Sequence, residues 1–281
     1  MRRQWAPPML AELSGGSRSG NMSRHGSQSE DASGAGKDGG QVISMRPAAL
    51  IAPGVFVGSM SDAADALWRN NPLGVHAVVN CAQDEFMHQV RKGRVGTEGS
   101  TSWEELQRSL DNLEEAPQGG ARCGKVMGLE YLGFCARDPI FATDGLEGHP
   151  PTSRAADRAY AISQHFAVTR AFVTEHLQLG HKVLIHCLRG ENRSAAVCAA
   201  YLIAEHGLAV DQAIAHLREK RGEFALSNEV FVQELHKYGE RIARERQEAE
   251  AASASPQPAG RKSPASDVSS KTPQSQACVL L

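Results

Sequence analysis

The chain has 281 residues, 41% of them hydrophobic, and a formal net charge of −2 from 30 Lys and Arg against 32 Asp and Glu. That length holds one large or two small domains with a real core, and the near-balanced charge excludes a global electrostatic surface for nucleic acid, so an anionic substrate must be recognised by a local site. No run approaches the ~20 apolar residues of a membrane-spanning helix. The six cysteines show no paired spacing and no CxxC, and no signal peptide leads the chain, which points to a reducing compartment.

Residues 1–45, rich in Gly, Ser and Arg, cannot bury enough surface to offset their ordering entropy and are expected to be disordered. Arg2, Arg3, Arg18 and Arg24 have the charge of a transit peptide, but Pro7, Pro8 and the glycines break an amphipathic helix. The folded part, residues 46–246, opens with Leu50-Ile51 and Val55-Phe56-Val57, two β-prone runs around Pro53-Gly54. A helix follows, capped by Ser61, with Asp62 and Asp65 in its first turns and Pro72 past its end. Val75 to Cys81 is a continuous apolar run, as in a strand buried on both faces. Residues 90–127 are polar and Gly-rich at both ends, yet Ser102 and Glu105 form a capping box ahead of Trp103, Leu106, Leu110 and Leu113. That stripe either packs on its own domain or docks a partner helix. Gly128 to Phe134 reads as another strand. Ile162, Phe166, Thr169, Val173 and Leu177 lie on one face of a helix closed by Gly180. Strands alternating with helices imply an α/β layer fold.

The densest chemistry lies in Lys182 to Ser194, KVLIHCLRGENRS: an apolar strand, a polar loop, then the start of an Ala-rich helix. A loop ending at a helix N-terminus gathers unpaired N–H groups and the positive end of the dipole, a cup for an oxyanion. Cys187 in that cup, with the Arg193 guanidinium alongside, is favoured as a thiolate nucleophile. The planar fork of Arg193 can hold two phosphoryl oxygens and the charge of a trigonal-bipyramidal transition state. The Ser194 hydroxyl can hydrogen-bond the thiolate when it becomes the leaving group, and Gly190 lets the backbone turn where a side chain would obstruct the phosphate. Leu188, Arg189, Gly190, Glu191, Asn192 and Arg193 form the substrate cup. His186 is assigned a structural role within the loop rather than that of a base.

This loop resembles the HCxxGxxRS signature of the cysteine-based protein phosphatases, and its flanks look most like the dual-specificity branch. Ile51 to Asp65, Val75 to Glu85, Ala195 to Gly207 and Ala213 to Leu235, the last with Arg221 and Asn228 to Phe231, are similar to that family's strands and helices. The resemblance covers roughly Pro47 to Arg244 and implies a central, mostly parallel sheet flanked by helices, a protein-tyrosine-phosphatase-like fold of the dual-specificity type. It also implies hydrolysis of phosphotyrosine and phosphoserine or phosphothreonine through a phosphocysteine, without metal or cofactor. Against the family pattern, residues 90–127 and 139–156 are insertions.

The family's general acid lies just beyond the strand ending at Phe134. The register YLGFCARD places Asp138 there, whereas Asp157, 30 positions before Cys187, matches by counting back. Asp138 is preferred because Asp157 sits in a stretch that reads as helix. The chemistry requires a carboxyl that protonates the leaving oxygen and then activates water. Cys81 lies in a setting, NCAQ, that resembles the strand holding a redox partner of the nucleophile in some relatives; the other reading is a core filler. Asn192, where most relatives carry Ser, is shared with RNA 5′-triphosphatase members, while Glu191 opposes very anionic substrates such as RNA triphosphates or phosphoinositides. The remaining alternative is a pseudophosphatase that binds phosphoproteins without turnover.

Residues 247–281 are expected to be a disordered tail. It ends in Cys278-Val279-Leu280-Leu281, a CaaX box whose final Leu favours geranylgeranylation of Cys278 by a prenyltransferase. One lipid with the modest basic patch of Arg261, Lys262 and Lys271 implies a cytoplasmic protein bound reversibly to membranes. The expected partner is a phosphoprotein, not a nucleic acid.

Overall fold

The computed structural model of the chain describes residues 46–68, 70–92, 103–116, 120–138 and 160–254. The two β-prone runs form a hairpin, β1 (Ala49–Ala52) and β2 (Val55–Gly58), paired antiparallel around Pro53 and Gly54. Proline presets φ for the first corner of the turn, and Gly54 takes φ +79° at the second, the requirement of a type II turn. Helix α1 (Met60–Trp68) follows at once. Its cap is Ser59 rather than Ser61: the Ser59 N–H and hydroxyl both donate to Asp62 Oδ2, at 2.7 and 2.8 Å. Ser61 already lies inside the helix, which therefore begins two residues earlier than the expected cap implies.

The apolar run yields β3 (Ala77–Asn80), all four residues buried, followed by α2 (Gln83–Arg91) and α3 (Trp103–Asp111). Leu106, Leu110 and Leu113 are buried with Val126 and Tyr131, so the α3 stripe is covered by its own domain. Ser102, its expected cap, lies outside the described residues. The stretch read as an insertion with one helix also extends the sheet through β4 (Glu114–Glu115) and β5 (Arg122–Val126). Strand β5 joins β6 (Leu129–Gly133) through Met127 and Gly128, both at positive φ. That is a type I′ hairpin with Met where Asn or Asp is usual, so its sequence signal is weak.

Past residue 160 come a 3₁₀ turn (Ile162–His165), α4 (Phe166–Gln178) and β7 (Val183–His186). Three helices complete the described chain: α5 (Arg193–Tyr201), which runs through a π turn (Leu202–His206) to Gly207 at φ +73°, then α6 (Val210–Arg221) and α7 (Glu229–Ala254). Asn228 Oδ1 accepts the Val230 N–H at 3.0 Å and caps α7.

The sheet order is β1-β2-β7-β3-β6-β5-β4. The inner strands β2, β7, β3 and β6 are parallel, and antiparallel strands flank them at both edges. This is the mostly parallel α/β sheet flanked by helices expected from the sequence. Successive residues on β3 and β7 serve opposite faces: Ala77, Val79, Val183 and Ile185 meet α5 residues such as Ala196 and Ala199, while Val78 and Leu184 meet residues of α1, α2 and α3. Every residue of α5 is buried, and its alanines let it lie close against the sheet.

The described residues up to Ala243 form one compact unit, and those from Arg244 onward belong to a second and are exposed helix. Helix α7 continues to Ala254, past the boundary expected at residue 246, because Ala, Glu, Gln and Arg are strong helix formers even without a core to pack on. Among the described residues no helix is long and apolar enough to cross a membrane.

Candidate active site

Strand β7 ends at His186, and the chain turns through Cys187 to Asn192 before α5 begins at Arg193. The site therefore sits at the carboxyl end of a central parallel strand, where strand and helix geometry leaves a crevice. Cys187 is 3% exposed, and its Sγ accepts the Gly190 N–H at 3.2 Å and the Ser194 hydroxyl at 3.3 Å.

The loop carbonyls are held from outside. Leu188 O accepts the Met60 N–H at 3.1 Å and Glu191 O the Leu226 N–H at 2.9 Å. Arg221 donates to Gly190 O at 3.2 Å and to Arg189 O at 3.3 Å. In a trans peptide the N–H points opposite to its C=O, so four outward carbonyls turn the N–H groups of Arg189, Gly190, Glu191 and Asn192 toward the inside of the loop. Gly190 has φ +73°, and a Cβ there would meet Gly58 O at 2.5 Å and the Arg221 guanidinium as well. The close packing of β2 and α6 against the loop thus requires glycine.

Arg193 is 4% exposed; its Nη1 donates to Glu85 Oε1 at 2.6 Å and to Ala136 O at 3.1 Å. Burial alone would lower the Arg193 pKa, but the charges of Cys187, Glu85 and Asp138 outweigh it and raise it. Its Nε is buried without a protein partner, as is the Asn192 Nδ2. Asn192 Oδ1 is occupied, accepting the Ser227 hydroxyl at 3.3 Å and the Asn228 N–H at 3.1 Å. Two donors in the loop are therefore left for something that accepts hydrogen bonds.

Asp138, preferred as the acid, lies where Asn228 Nδ2 donates to its Oδ1 at 2.8 Å. Asp157 and Cys278 lie outside the described residues. Leu188 packs partly buried against the core. Arg189 and Glu191 pair at 3.2 Å, so the Glu191 charge, expected to repel very anionic substrates, is offset at the rim. His186 is fully buried behind the loop with Nδ1 3.4 Å from Cys187 O, and burial pushes its pKa down to about 4, so it stays a neutral ring, as its structural assignment requires. Cys81, fully buried, follows Asn80, the register partner of His186, and burial together with Cys187 pushes its thiol pKa well up. Among the described residues no three His, Cys, Asp or Glu side chains gather where a metal ion could be held.

Glu85 escaped the sequence reading because it stands 108 positions from Arg193, and nothing in QDEF marks it beyond a first-turn acid. Arg221 and Asn228 were visible as landmarks, but without their tasks.

Residues 149–241, which carry the loop and the three helices after it, match the family model of the dual specificity phosphatase catalytic domain. The match spans Asp157 but begins after Asp138. Similar curated proteins include Dual specificity protein phosphatase 1 of Arabidopsis thaliana, 38% identical over 74 residues, 26% of this chain and 37% of that protein. Dual specificity protein phosphatase 2 of Mus musculus is 38% identical over 102 residues, 34% of this chain and 32% of that protein. The Serine/threonine/tyrosine-interacting protein of Homo sapiens is 37% identical over 78 residues, 27% of this chain and 34% of that protein. The chain thus spans about a third of the length of these relatives. Among solved structures, human DUSP28 is 23% identical, with 70% of this chain and 96% of that one covered at a TM-score of 0.44, a likeness too low to bear on function.

Proposed function

We propose that the chain is a protein phosphatase that hydrolyses phosphotyrosine and phosphoserine or phosphothreonine through a phosphocysteine. The observation that carries the reading is the loop itself: a buried thiol beneath inward N–H groups, beside an Arg193 whose Nε lacks a protein partner. In the first step Cys187 Sγ attacks phosphorus, the bond to the leaving oxygen breaks, and that oxygen takes the proton of Asp138. Arg193 and the loop N–H groups hold the other phosphoryl oxygens, where charge spreads in the transition state. In the second step water attacks the phosphocysteine, the Asp138 carboxylate takes its proton, and the Ser194 hydroxyl stabilises the departing thiolate.

The test is the pH dependence of hydrolysis of an aryl phosphate and of phosphotyrosyl and phosphothreonyl peptides by wild type, Cys187→Ser, Asp138→Ala and Asp157→Ala. Cys187→Ser should abolish burst and turnover, and Asp138→Ala should cost about 10²- to 10⁴-fold and remove the basic limb. Loss of that limb in Asp157→Ala alone would transfer the acid role there. Background rates that no variant changes would favour a phosphoprotein-binding module without turnover. Since Arg189 offsets Glu191, a 5′-triphosphorylated RNA and a phosphoinositide belong in the same panel as competing substrates.

The reading extends to a geranylgeranyl group on Cys278 that attaches the enzyme reversibly to membranes from the cytoplasm. Its support is the Cys278-Val279-Leu280-Leu281 sequence. Intact mass and membrane partition of wild type against Cys278→Ser test it, and equal partition of the two would refute it.

A further inference from the structure

We propose that Asn228 is a positioning residue for the acid: its amide biases which oxygen of Asp138 carries the proton and ties that carboxyl to the phosphate loop. The inference rests on the reading of Asp138 as the acid, and it concerns how the acid is aimed.

The orientation of the Asn228 amide follows from its partners. Its Oδ1 accepts the Val230 N–H at 3.0 Å, so the group facing Asp138 is Nδ2, 2.8 Å from Asp138 Oδ1. An amide Nδ2 only donates. In the acid form of Asp138 the carbonyl oxygen is the stronger acceptor, so the Nδ2 donor at Oδ1 favours the isomer with its proton on Oδ2. The amide thereby favours one of two protonation isomers, and Oδ2 is the atom that serves the leaving group.

The same residue reaches the phosphate loop through its backbone. The Asn228 N–H donates to Asn192 Oδ1 at 3.1 Å, and Asn192 immediately precedes Arg193. Arg193 in turn donates to Ala136 O at 3.1 Å. The short segment from Ala136 to Asp138 is thus pinned at both ends to the loop that holds the phosphate. Asn228 is 0% exposed, so water does not compete for these bonds. An acid works only within hydrogen-bond reach of the leaving oxygen, and a displacement of about 1 Å costs on the order of 10²-fold.

In the step at stake Cys187 Sγ forms a bond to phosphorus and the P–O bond breaks. The electron pair stays on the leaving oxygen, which takes the proton from Asp138 Oδ2 and leaves a carboxylate whose Oδ1 still accepts from Asn228. An alkoxide or phenoxide of a weakly acidic alcohol needs that proton as it departs, whereas the anion of a strongly acidic phenol does not.

The experiment compares kcat/KM across aryl phosphates, from esters of strongly acidic nitrophenols to phenyl phosphate and a phosphotyrosyl peptide, for wild type, Asn228→Ala, Asn228→Asp and Asp138→Ala. Asn228→Ala keeps the N–H to Asn192, and Asn228→Asp keeps an acceptor for the Val230 N–H, so at least one variant retains each structural bond. Both should lose about 10- to 100-fold more on phenyl phosphate and the peptide than on the nitrophenyl esters. Asp138→Ala should show the same slope, more steeply. Equal losses on every ester would make Asn228 a support of the loop or fold and overturn the proposal, as would no loss at all. If Asp138→Ala itself shows no leaving-group dependence, the assignment of the acid falls, and this inference with it.

Discussion

Replacing Glu85 with Ala removes the carboxylate that neutralises Arg193, a guanidinium whose side chain is 5% exposed and 2.6 Å from Glu85 Oε1. Taking one partner from a fully buried pair costs about 3–5 kcal/mol, because the remaining charge is left unpaired in a poor solvent. The Glu85 side chain is 21% exposed, so water reaches the vacated position, and the bond from Arg193 to Ala136 O survives. A loss of about 2–3 kcal/mol is therefore expected. For a domain of this size that corresponds to a Tm lower by roughly 5–10 °C. Glu85→Gln keeps an acceptor and loses only the charge, and should cost about half as much. Differential scanning fluorimetry with and without vanadate is the assay. An oxyanion in the loop supplies Arg193 with a new counter-charge, so vanadate should raise the Tm of Glu85→Ala more than that of wild type. If both variants melt within about 1 °C of wild type and gain equally from vanadate, the pair carries neither stability nor the loop's charge balance.

Other measurements probe other parts of the same account. His186 is held neutral, with its pKa lowered by burial from 6.5 to about 4. As pH falls from about 6.5 to about 4 the unfolded chain takes up a proton that the folded chain refuses, so this group withdraws about 3 kcal/mol of stability over that window. His186→Asn should flatten the fall in urea midpoint there, and an unchanged pH dependence would refute it. Leu110, 4% exposed, closes the α3 stripe against its own domain, and Leu110→Ala should cost about 2–5 kcal/mol in urea unfolding; a surface-sized change below about 0.5 kcal/mol would contradict that packing. Cys81 and Cys187 follow paired residues on neighbouring parallel strands, which lie about 4.8 Å apart and within disulfide reach. Mild peroxide should convert Cys187 to a sulfenic acid that condenses with the Cys81 thiol, releasing water and giving a disulfide that thiols reverse; persistent sulfinic acid on Cys187 would leave Cys81 as filler.

The phosphate loop and its strand and helix were legible because their determinants are local. Val183 to His186 are all apolar apart from the last, Gly190 and the alanines of α5 announce a turn and a close-packed helix, and Cys187, Arg193 and Ser194 lie within eight residues. The α3 stripe was equally plain as a period, but its face had two possible neighbours, and only the packing of Val126 and Tyr131 chose one. Strands β4 and β5 were missed because a two-residue strand and a hairpin turning on Met127 and Gly128 carry little propensity; the edge of β6 supplies their order. Helix α7 runs on past residue 246 for the opposite reason, since local propensity alone carries it to Ala254.

What the sequence by itself determined is the identity and spacing of the side chains from Cys187 to Ser194, since six- and seven-residue separations across a loop and a helix turn are set by backbone geometry. Tertiary structure alone decided what surrounds them. Glu85 reaches Arg193 from 108 positions away, Arg221 holds the loop carbonyls from α6, and Asn228 joins Asp138 to Asn192 from the cap of α7. Those contacts exist because a parallel sheet brings the carboxyl ends of β3, β6 and β7 to one edge and packs the later helices over it. Long-range closure of that kind has no period or spacing to be read along the chain.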